Sequence, residues 1–532
     1  MSRSSWLTGG ALVLTVALVV GLFGPEREGR AETIGGPYAR LLASATDLGA
    51  QPDTPVQVTV ALHRAEEPRR LTDWVSGRGL SLRWRDGDDW AVIEGAATAI
   101  GAAFGVTVHR YQTRSGPEPG RLFYAAPQQP RLPPFVGDEV SGIGRVLGYT
   151  PYREGVPPTP PLEVPSGGLA PTKVTAAYNA DTLTAAGVTG AGSTVVVFSF
   201  DGFEQSDLDS FAQWFGLPPF TPIVVGGMPT QRNGEASMDL QMIHAVAPGA
   251  RLVLVNARPT VESDGGLVRV GQLMESIDRD YPGAIWSLSI GWGCDRLFTA
   301  ADLAPIRSAL VAAVRNGTTA FDASGDLAGL ECRGGQPWAT PPGPDDTGID
   351  AVGSIPEMTS VGGTTLTTDT AGNWLAEQGW YDVPLTQGSA GGVSSIYDRP
   401  SWQVVNLSDV PADRRLVPDI SAVADPFTGV KFVLDQQVLI GGGTSQAAPI
   451  WAGLAALINE NLKSAGLEPL GDLNPVLYRI ARGSIAPAFR SIDMGASAIA
   501  ASSSGYDLVT GLGTPNIENL VKDIIVVRSL VR

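Results

Sequence analysis

From about residue 172 onward, continuous apolar stretches alternate with helical ones, and this pattern narrows the possible folds more than any other feature of the chain. Strands that are apolar throughout are typical of a parallel sheet covered by helices on both faces. The pattern predicts an α/β fold with a mostly parallel sheet flanked by helices, and an active site at the carboxyl ends of the strands. Strands are predicted at Thr194–Phe200, Ile223–Val225, Arg251–Asn256, Ile285–Ile290 and Thr318–Phe321, and helices at Leu208–Phe215, Gly234–Val246, Ile306–Arg315 and Gln446–Ala465.

A smaller α+β unit is predicted before this region, because 532 residues are too many for a single ordinary core. Residues 34–150 hold its predicted strands at Pro55–Leu62, Trp90–Glu94 and Arg121–Ala125 and a helix at Ala96–Phe104. Residues 151–171 are rich in proline, which predicts an extended, exposed linker that is open to cleavage. The large domain then occupies residues 172–532.

The first 33 residues have the pattern of an export signal. Arg3 precedes an apolar run from Trp6 to Phe23, which ends at Gly24-Pro25. This order is typical of a signal peptide or a signal anchor, and we favour a cleaved signal peptide. Either outcome places the body of the protein outside the cytoplasm, and a membrane is a partner only if the segment is retained.

The chain has two cysteines, Cys294 and Cys332, which both lie in the large domain. In an exported protein such a pair is expected to form a disulfide. Two thiols without a nearby histidine are too few ligands for a structural zinc site.

The chain carries a net charge of −17 at pH 7, and the excess of acidic residues lies entirely after residue 160. Such a surface repels phosphate groups, so nucleic acid is excluded as a partner. The isoelectric point of about 4.7 fits a protein that works in acid. It fits equally an acidic surface that favours solubility, so charge alone leaves both interpretations open.

The candidate nucleophile is Ser445, which follows Gly442-Gly443-Thr444 and precedes a predicted apolar helix. At the start of a helix, free N–H groups and the helix dipole favour the negative charge that develops on an attacked carbonyl. Pro449 is expected in the first turn, where a missing N–H costs little. A lone Gly-Thr-Ser is more simply a helix cap, so the chemical interpretation requires a base near Ser445.

The candidate base is a pair of carboxylates. Glu235 and Asp239 are four residues apart on a predicted helix, which places them on one face, where they would share a proton in mild acid. An exposed acidic pair is the simpler interpretation, but the apolar stretch that follows indicates a helix packed on the sheet. Of the three histidines, His244 lies on the opposite side of this helix from Glu235. His63 and His109 fall in the N-terminal unit, so a Ser-His-Asp triad is disfavoured.

A third carboxylate, Asp326, follows the predicted strand that ends at Phe321 and is flanked by glycines. In its protonated form it would donate a hydrogen bond to a developing oxyanion. By itself an aspartate in this position more simply shapes a turn. The oxyanion role and a proton shared by Glu235 and Asp239 both require acid.

These three segments, in this order, resemble the sedolisin family of serine-carboxyl peptidases. The resemblance implies a subtilisin-like catalytic domain with Ser445 as nucleophile, Glu235 as general base and Asp239 as the carboxylate that supports it. Asp326 would supply the acid of the oxyanion hole. Further similarity lies in Ser287–Gly291, Val361–Thr364, Gly391–Ser394, Pro400–Gln403 and Val417–Pro426, so the resemblance covers most of residues 55–515.

The resemblance also assigns an activity and a role for the smaller unit. Residues 34–150 are similar to the activation prodomain of the family, in a shortened form. The prodomain would act as the chain's own inhibitor and chaperone until a cut within about 151–175 releases it. The implied protein is a secreted, self-processing zymogen that hydrolyses peptide or protein substrates in acid. The sequence does not distinguish endopeptidase from tripeptidyl-peptidase action.

One calcium ion near the C-terminus is a further implication of the resemblance. In the family its ligands come from two short segments, which here are Phe489–Asp493 and Ser503–Asp507. The family has Asp where this chain has Ser491, and calcium prefers more than one carboxylate. A weakened site is therefore expected unless Asp493 substitutes. The candidate ligands are Ser491, Ile492, Ser503, Gly505 and Asp507.

A second departure from the family lies at residues 349–359, where its Pro-Ala-Ser-Ser-Pro-like run is not legible.

Two other functions stay open from the sequence. One is a catalytically silent exported binding protein on the same scaffold, against which the presence of all four expected residues argues. The other is a serine esterase or lipase, but the Gly-x-Ser-x-Gly pattern of those enzymes does not occur in the chain.

Overall fold

The computed structural model describes residues 31–115, 118–152, 167–334, 342–382, 387–407, 410–484 and 486–529. The predicted export signal lies almost entirely outside the described residues, as does most of the predicted linker. Within these ranges, every helix is too short or too polar to cross a lipid bilayer.

The N-terminal unit contains two small antiparallel sheets and three helices. The four-stranded sheet has the order β3-β4-β2-β7, and the three-stranded sheet has the order β1-β5-β6. The predicted strands and helix are confirmed here, with ends that differ by up to two residues. The strands are β1 (Thr46–Ala50), β2 (Pro55–Leu62), β3 (Ser81–Arg83), β4 (Trp90–Ala96), β5 (His109–Gln112), β6 (Leu122–Ala125) and β7 (Val140–Ile143); the helices are α1 (Gly36–Ser44), α2 (Arg69–Ser76) and α3 (Ala97–Phe104).

The large domain contains the remaining strands and helices of the described residues. Its strands are β8 (Thr194–Ser199), β9 (Ile223–Val225), β10 (Arg251–Asn256), β11 (Ile285–Leu288), β12 (Thr319–Ala323), β13 (Thr359–Thr368), β14 (Trp374–Gly379), β15 (Tyr381–Asp382), β16 (Gln387–Gly388), β17 (Gly392–Asp398), β18 (Arg414–Val417), β19 (Ile420–Val423), β20 (Lys431–Leu434), β21 (Gln437–Ile440), β22 (Phe489–Arg490) and β23 (Thr514–Pro515). Its helices are α4 (Val174–Ala177), α5 (Asp181–Ala185), α6 (Gln205–Phe215), α7 (Glu235–Val246), α8 (Arg258–Val261), α9 (Gly266–Asp280), α10 (Ala300–Arg315), α11 (Thr444–Ser464), α12 (Asn474–Gly483) and α13 (Ile517–Ser529).

One eight-stranded sheet forms the centre of the large domain. Its order is β14-β13-β12-β11-β8-β10-β9, and β19 also pairs with β13. The strands from β8 to β13 pair in parallel, and β14 is antiparallel to β13 at one edge. The predicted α/β fold with a mostly parallel sheet is therefore confirmed.

The central strands bury both of their faces. Val195 and Val197 of β8 belong to one core with residues of α7 and α11, whereas Val196 and Phe198 belong to a second core with residues of α9 and α10. Full burial of such side chains stabilises the fold by about 1.5–3 kcal/mol each. This two-sided burial is the reason that these strands are apolar without interruption.

The N-terminal unit packs against α9 and α10, on the face of the sheet opposite α7 and α11. Arg85 forms an ion pair with Glu275 of α9 at 2.7 Å. The backbone N–H of Arg145 donates to the Asp302 carboxylate of α10 at 2.9 Å. The same carboxylate closes a capping box with Thr299 at the start of α10, so this contact joins the two units at a helix N-terminus.

Three predicted helices begin earlier than expected: α6 starts at Gln205 rather than Leu208, and the other two each contain a proline inside the helix. α10 starts at Ala300 rather than Ile306 because its capping box precedes Pro305. α11 starts at Thr444 rather than Gln446, so Pro449 lies in its second turn. The prediction of Pro449 in the first turn is wrong. A proline at this depth leaves the carbonyl four residues earlier, that of Ser445, without its helical donor.

Cys294 and Cys332 form the expected disulfide, with Cα atoms 4.7 Å apart.

Candidate active site

Ser445 is the second residue of α11, two positions after Gly443, where the backbone requires glycine. Gly443 has a φ of +81°, a conformation that side chains disfavour. A Cβ at this position would lie 2.8 Å from Oδ2 of Asp326. The tight turn therefore brings Ser445 and Asp326 to the same place. The first N–H groups of α11 have no acceptor within the helix.

Asp326 lies in the loop that follows β12, and it holds the start of α11. Its Oδ1 accepts hydrogen bonds from the Thr444 backbone N–H at 2.7 Å and from the Thr444 hydroxyl at 2.8 Å. Asp326 is thus held at the residue before Ser445, across 118 residues of chain.

Glu235 and Asp239 lie on α7, and every residue of that helix is buried. The pair is therefore not a solvated acidic face. The Ser445 hydroxyl lies close enough to the Glu235 carboxyl to oppose the rise of its pKa, and Oδ1 of Asp239 lies 3.0 Å from Oγ of Ser289. The other two oxygens, Oε1 of Glu235 and Oδ2 of Asp239, are buried without a hydrogen-bond partner among the described residues. Two buried acceptors on successive turns of one helix favour the binding of a proton by the pair.

Burial sets the ionisation of this pair. It raises the pKa of Glu235 well above its usual range, and the nearby Asp239 carboxylate raises it further. Burial raises the pKa of Asp239 in the same way, whereas the Ser289 hydroxyl opposes the shift. A pair of this kind retains a proton in mild acid and loses it as the pH rises.

Asp201 is a further buried carboxylate that the sequence analysis missed. It follows β8, and it accepts hydrogen bonds from the backbone N–H groups of Asn233 at 2.8 Å and Gly234 at 2.9 Å. Because Glu235 is the next residue, Asp201 fixes the start of α7 and the position of Glu235. Its place just beyond the carboxyl end of a predicted strand was the only sequence signal that could have pointed to it.

The His244 side chain contacts Pro218 and Phe220, and no contact with Ser445 is found among the described residues. Its Nε2 lies 2.7 Å from the carbonyl oxygen of Pro218, and its ring stacks on Phe220. Burial lowers the pKa of His244 to about 4. His63 and His109 lie in the N-terminal unit, where His109 contacts Asp47.

The two C-terminal segments proposed for calcium are joined by a hydrogen bond. The Gly505 N–H donates to Oγ of Ser491 at 2.9 Å. Asp507 is buried, and its carboxylate accepts hydrogen bonds from three backbone N–H groups and the Thr510 hydroxyl. Asp493 is exposed. Calcium takes six to eight oxygen ligands and favours carboxylates. The Ser491 hydroxyl already accepts from a backbone amide, and the Asp507 carboxylate already accepts four hydrogen bonds. These ligands do not fit a calcium ion.

No protein-family model matches the chain. Comparison with individual known proteins finds relatives that agree with one another. The chain is 28% identical to kumamolisin of Bacillus sp. (strain MN-32) over 458 residues, which cover 80% of this chain and 77% of that protein. It is 30% identical to sedolisin of Pseudomonas sp. (strain 101) over 403 residues, covering 71% and 64% of the two chains. It is 28% identical to tripeptidyl-peptidase 1 of Bos taurus over 439 residues, covering 74% and 72%.

A solved structure gives the same result. Pseudomonas sedolisin, a serine-carboxyl proteinase complexed with two molecules of pseudo-iodotyrostatin, superposes with a TM-score of 0.58 at 27% identity. The match covers 68% of this chain and 98% of that one. The fold and these relatives define a serine-type peptidase. The chain belongs to the sedolisin family of serine-carboxyl peptidases.

Proposed function

We propose that the chain is an exported zymogen of an acid-acting peptidase in which Ser445, Glu235 and Asp239 form the catalytic triad. The observation that carries this proposal is the position of the Ser445 hydroxyl beside a buried carboxyl, Glu235, whose helix neighbour Asp239 is also buried. A serine hydroxyl needs a base to become a nucleophile. Here that base is a carboxylate, so the reaction belongs to the acid range.

In the first half of the reaction, Oγ of Ser445 attacks the carbonyl carbon of the scissile peptide bond. Its proton passes to the Glu235 carboxylate, and Asp239 holds and polarises Glu235 by sharing a proton with it. The protonated Asp326 carboxyl and the Ser445 N–H donate to the oxyanion. The C–N bond then breaks, and Glu235 returns the proton to the leaving amine.

In the second half, a water molecule attacks the ester of the acyl-enzyme. Glu235 takes a proton from the water as the new C–O bond forms, and it gives that proton to Oγ of Ser445 as the ester breaks. The free acid leaves, and the site returns to its starting state. Glu235 must therefore begin ionised and Asp326 protonated, which predicts a bell-shaped dependence on pH below neutrality.

The N-terminal unit is proposed as the prodomain, the chain's own inhibitor and chaperone. Its docking on α9 and α10 through Arg85 and Arg145 supports this role, and a proline-rich segment leads from it to the large domain. Export is supported by the signal-like N-terminus and by the Cys294–Cys332 disulfide, a bond typical of oxidising compartments.

The purified full-length chain, incubated at about pH 4, tests the proposed function. We expect a cut within about residues 151–175, detected by mass and N-terminal sequencing, followed by hydrolysis of fluorescent casein. The same incubation at neutral pH should leave both the full-length chain and the casein intact. Stable full-length chain without casein hydrolysis across the acid range would favour the silent binding protein. Ester turnover without peptide turnover would favour an esterase.

Asp326→Asn should move the basic limb of the pH profile of kcat/KM to higher pH. The asparagine amide keeps an oxygen for Thr444 and a donor for the oxyanion, and that donor does not titrate. Asp326→Ala removes the donor, and kcat should fall by about 10²–10³-fold. An Asp326→Asn profile that coincides with the wild type, in a protein with unchanged thermal stability, would contradict the oxyanion role.

We also propose that the hydrogen bond between Ser491 and Gly505 takes the place of the family's calcium ion. Thermal unfolding of the wild type should then be the same in EGTA and in calcium at about 1 mM. Ser491→Asp supplies a second carboxylate, and its Tm should rise with calcium but not with magnesium. Stabilisation of the wild type by calcium, or a Ser491→Asp variant indifferent to it, would contradict this proposal.

A further inference from the structure

The carbonyl oxygen of Ser445 depends on a side chain for its hydrogen bond. In an α-helix this oxygen would accept from the N–H four residues later, but that residue is Pro449, which has none. The Ser289 hydroxyl lies 3.0 Å from the oxygen and supplies the missing donor. Ser289 comes directly after β11, so the start of α11 is held at the carboxyl end of the sheet.

The same hydroxyl also contacts the acid pair. Oγ of Ser289 lies 3.0 Å from Oδ1 of Asp239. A serine hydroxyl has one proton, and a carbonyl oxygen can only accept. When Asp239 is ionised, Ser289 can donate to it and leave the Ser445 carbonyl. When the acid pair binds a second proton, Asp239 can donate it to Ser289, and Ser289 can donate to the Ser445 carbonyl.

We propose that Ser289 is a positioning residue that couples the ionisation of Asp239 to the peptide group of the nucleophile, an inference that rests on the proposed function. In one state the Ser289 hydroxyl donates to the charged acid pair, and in the other it donates to the backbone carbonyl of Ser445. The proline at position 449 makes this coupling possible, because it removes the N–H that would donate to this carbonyl as its helical partner.

The charged groups around Asp239 determine in which direction Ser289 shifts the pKa of Asp239. Glu235 lies on the same helix, Asp201 comes from the loop after β8, and Asp326 lies beyond Glu235 from the loop after β12. All three are acidic and favour a protonated pair, whereas Ser289 donates to the ionised form. A hydrogen bond to a charged acceptor is about twice as strong as one between neutral groups. Ser289 therefore holds the pKa of Asp239 below the value that burial alone would produce.

Ser289→Ala should move the acid limb of the kcat/KM profile to higher pH by about 0.5–1 pH unit. It should also lower Tm, because the Ser445 carbonyl is left buried without a donor. Ser287→Ala is the matched control, since Ser287 lies on β11 two residues before Ser289 and its buried hydroxyl has no hydrogen-bond partner among the described residues. That variant should leave the acid limb in place.

Pro449→Ala separates the structural effect from the coupling. It returns an N–H to the helix, so the double variant Ser289→Ala/Pro449→Ala should recover Tm while its acid limb stays displaced. Pro449→Ala alone frees Ser289 for Asp239, and its acid limb should move to lower pH. This single variant tests the coupling even if Ser289→Ala does not fold.

The outcomes are distinguishable from failure of the proposed function. A wild type without acid peptidase activity would remove the proposed function and this inference together. An active wild type whose acid limb is unmoved in Ser289→Ala would overturn the coupling alone. So would a double variant whose acid limb returns with Tm, because Ser289 would then only satisfy the carbonyl. An acid limb of Pro449→Ala that stays at the wild-type pH would also contradict the coupling.

Discussion

Peptide hydrolysis at about pH 4 should fall by about 10⁴-fold or more when Ser445 is replaced by alanine. The variant lacks the oxygen that forms the acyl-enzyme, and only the oxyanion donors and substrate binding remain. Glu235→Gln should cause a comparable loss, because an amide cannot take the serine proton. The measurement is kcat/KM on a fluorogenic peptide. The double variant should be no slower than the worse single variant, since the two residues act in one proton transfer.

Two controls keep this prediction specific. Ser464→Ala changes an exposed serine at the far end of α11, and it should hydrolyse peptide at the wild-type rate. Ser445→Ala should also stay uncut in acid, so its mass remains that of the precursor. A trace of active wild type can remove the prodomain in trans. If the processed Ser445→Ala chain then hydrolyses peptide at a rate near that of the wild type, Ser445 is not the nucleophile.

The unfolding free energy should fall by several kcal/mol as the pH rises from about 4 to about 8. A second group of buried acids outside the proposed triad predicts this effect. Asp322 of β12 has both carboxyl oxygens buried without a hydrogen-bond partner among the described residues. Asp350 accepts from the N–H groups of Trp292, Val352 and Gly353 at 2.6–3.0 Å.

These acids bind protons more tightly in the folded chain. Burial raises the pKa of Asp350 to about 8. Burial and the charge of Asp350 raise the pKa of Asp322 well above its usual range. Between the usual carboxyl pKa of about 4 and the raised values, the folded state holds protons that the unfolded state has released. Stability contributed by such groups is therefore complete in acid and is lost as the pH rises through this window.

Urea denaturation of the wild type and Asp322→Asn at three pH values measures the effect. Asparagine has the same shape and no charge, so Asp322→Asn should match the wild type near pH 4 and be more stable by about 1–3 kcal/mol near pH 8. In Asp322→Asn the loss of stability with rising pH is reduced rather than abolished, because the pKa values of Glu235 and Asp239 are also raised. Asp413→Asn changes an exposed carboxylate and should follow the wild type. Parallel curves for wild type and Asp322→Asn would contradict the prediction.

One of these buried acids lies in the segment where the sequence departs from the family pattern. Residues 349–359 lack the family's Pro-Ala-Ser-Ser-Pro-like run, and Asp350 lies within this segment. Gly353 links the two acids, because its N–H donates to Asp350 and a Cβ added to it would lie 3.5 Å from Oδ2 of Asp322. The segment that could not be matched from the sequence is thus the one that packs a second carboxyl beside β12.

The sequence alone was enough for the fold class and for the four candidate site residues. Apolar strands that alternate with helices are a local pattern, and two-sided burial is their direct cause. Glu235 and Asp239 were placed on one face by helical spacing alone. Ser445 and Asp326 were found because glycines mark the tight turns around them. Gly443 has a positive φ, a conformation that glycine adopts far more readily than other residues.

Only the tertiary structure decided which ordinary polar residues join the site. Ser289 and Asp239 are 50 residues apart, and Ser289 and Ser445 are 156 apart, so no periodicity or motif connects them. Asp201 and Asp322 likewise have the residue type of any turn or strand-end aspartate. Their ionisation follows from burial and from the charges that packing brings near them. Local sequence patterns report how a segment folds, whereas burial and long-range contacts depend on where the segments meet.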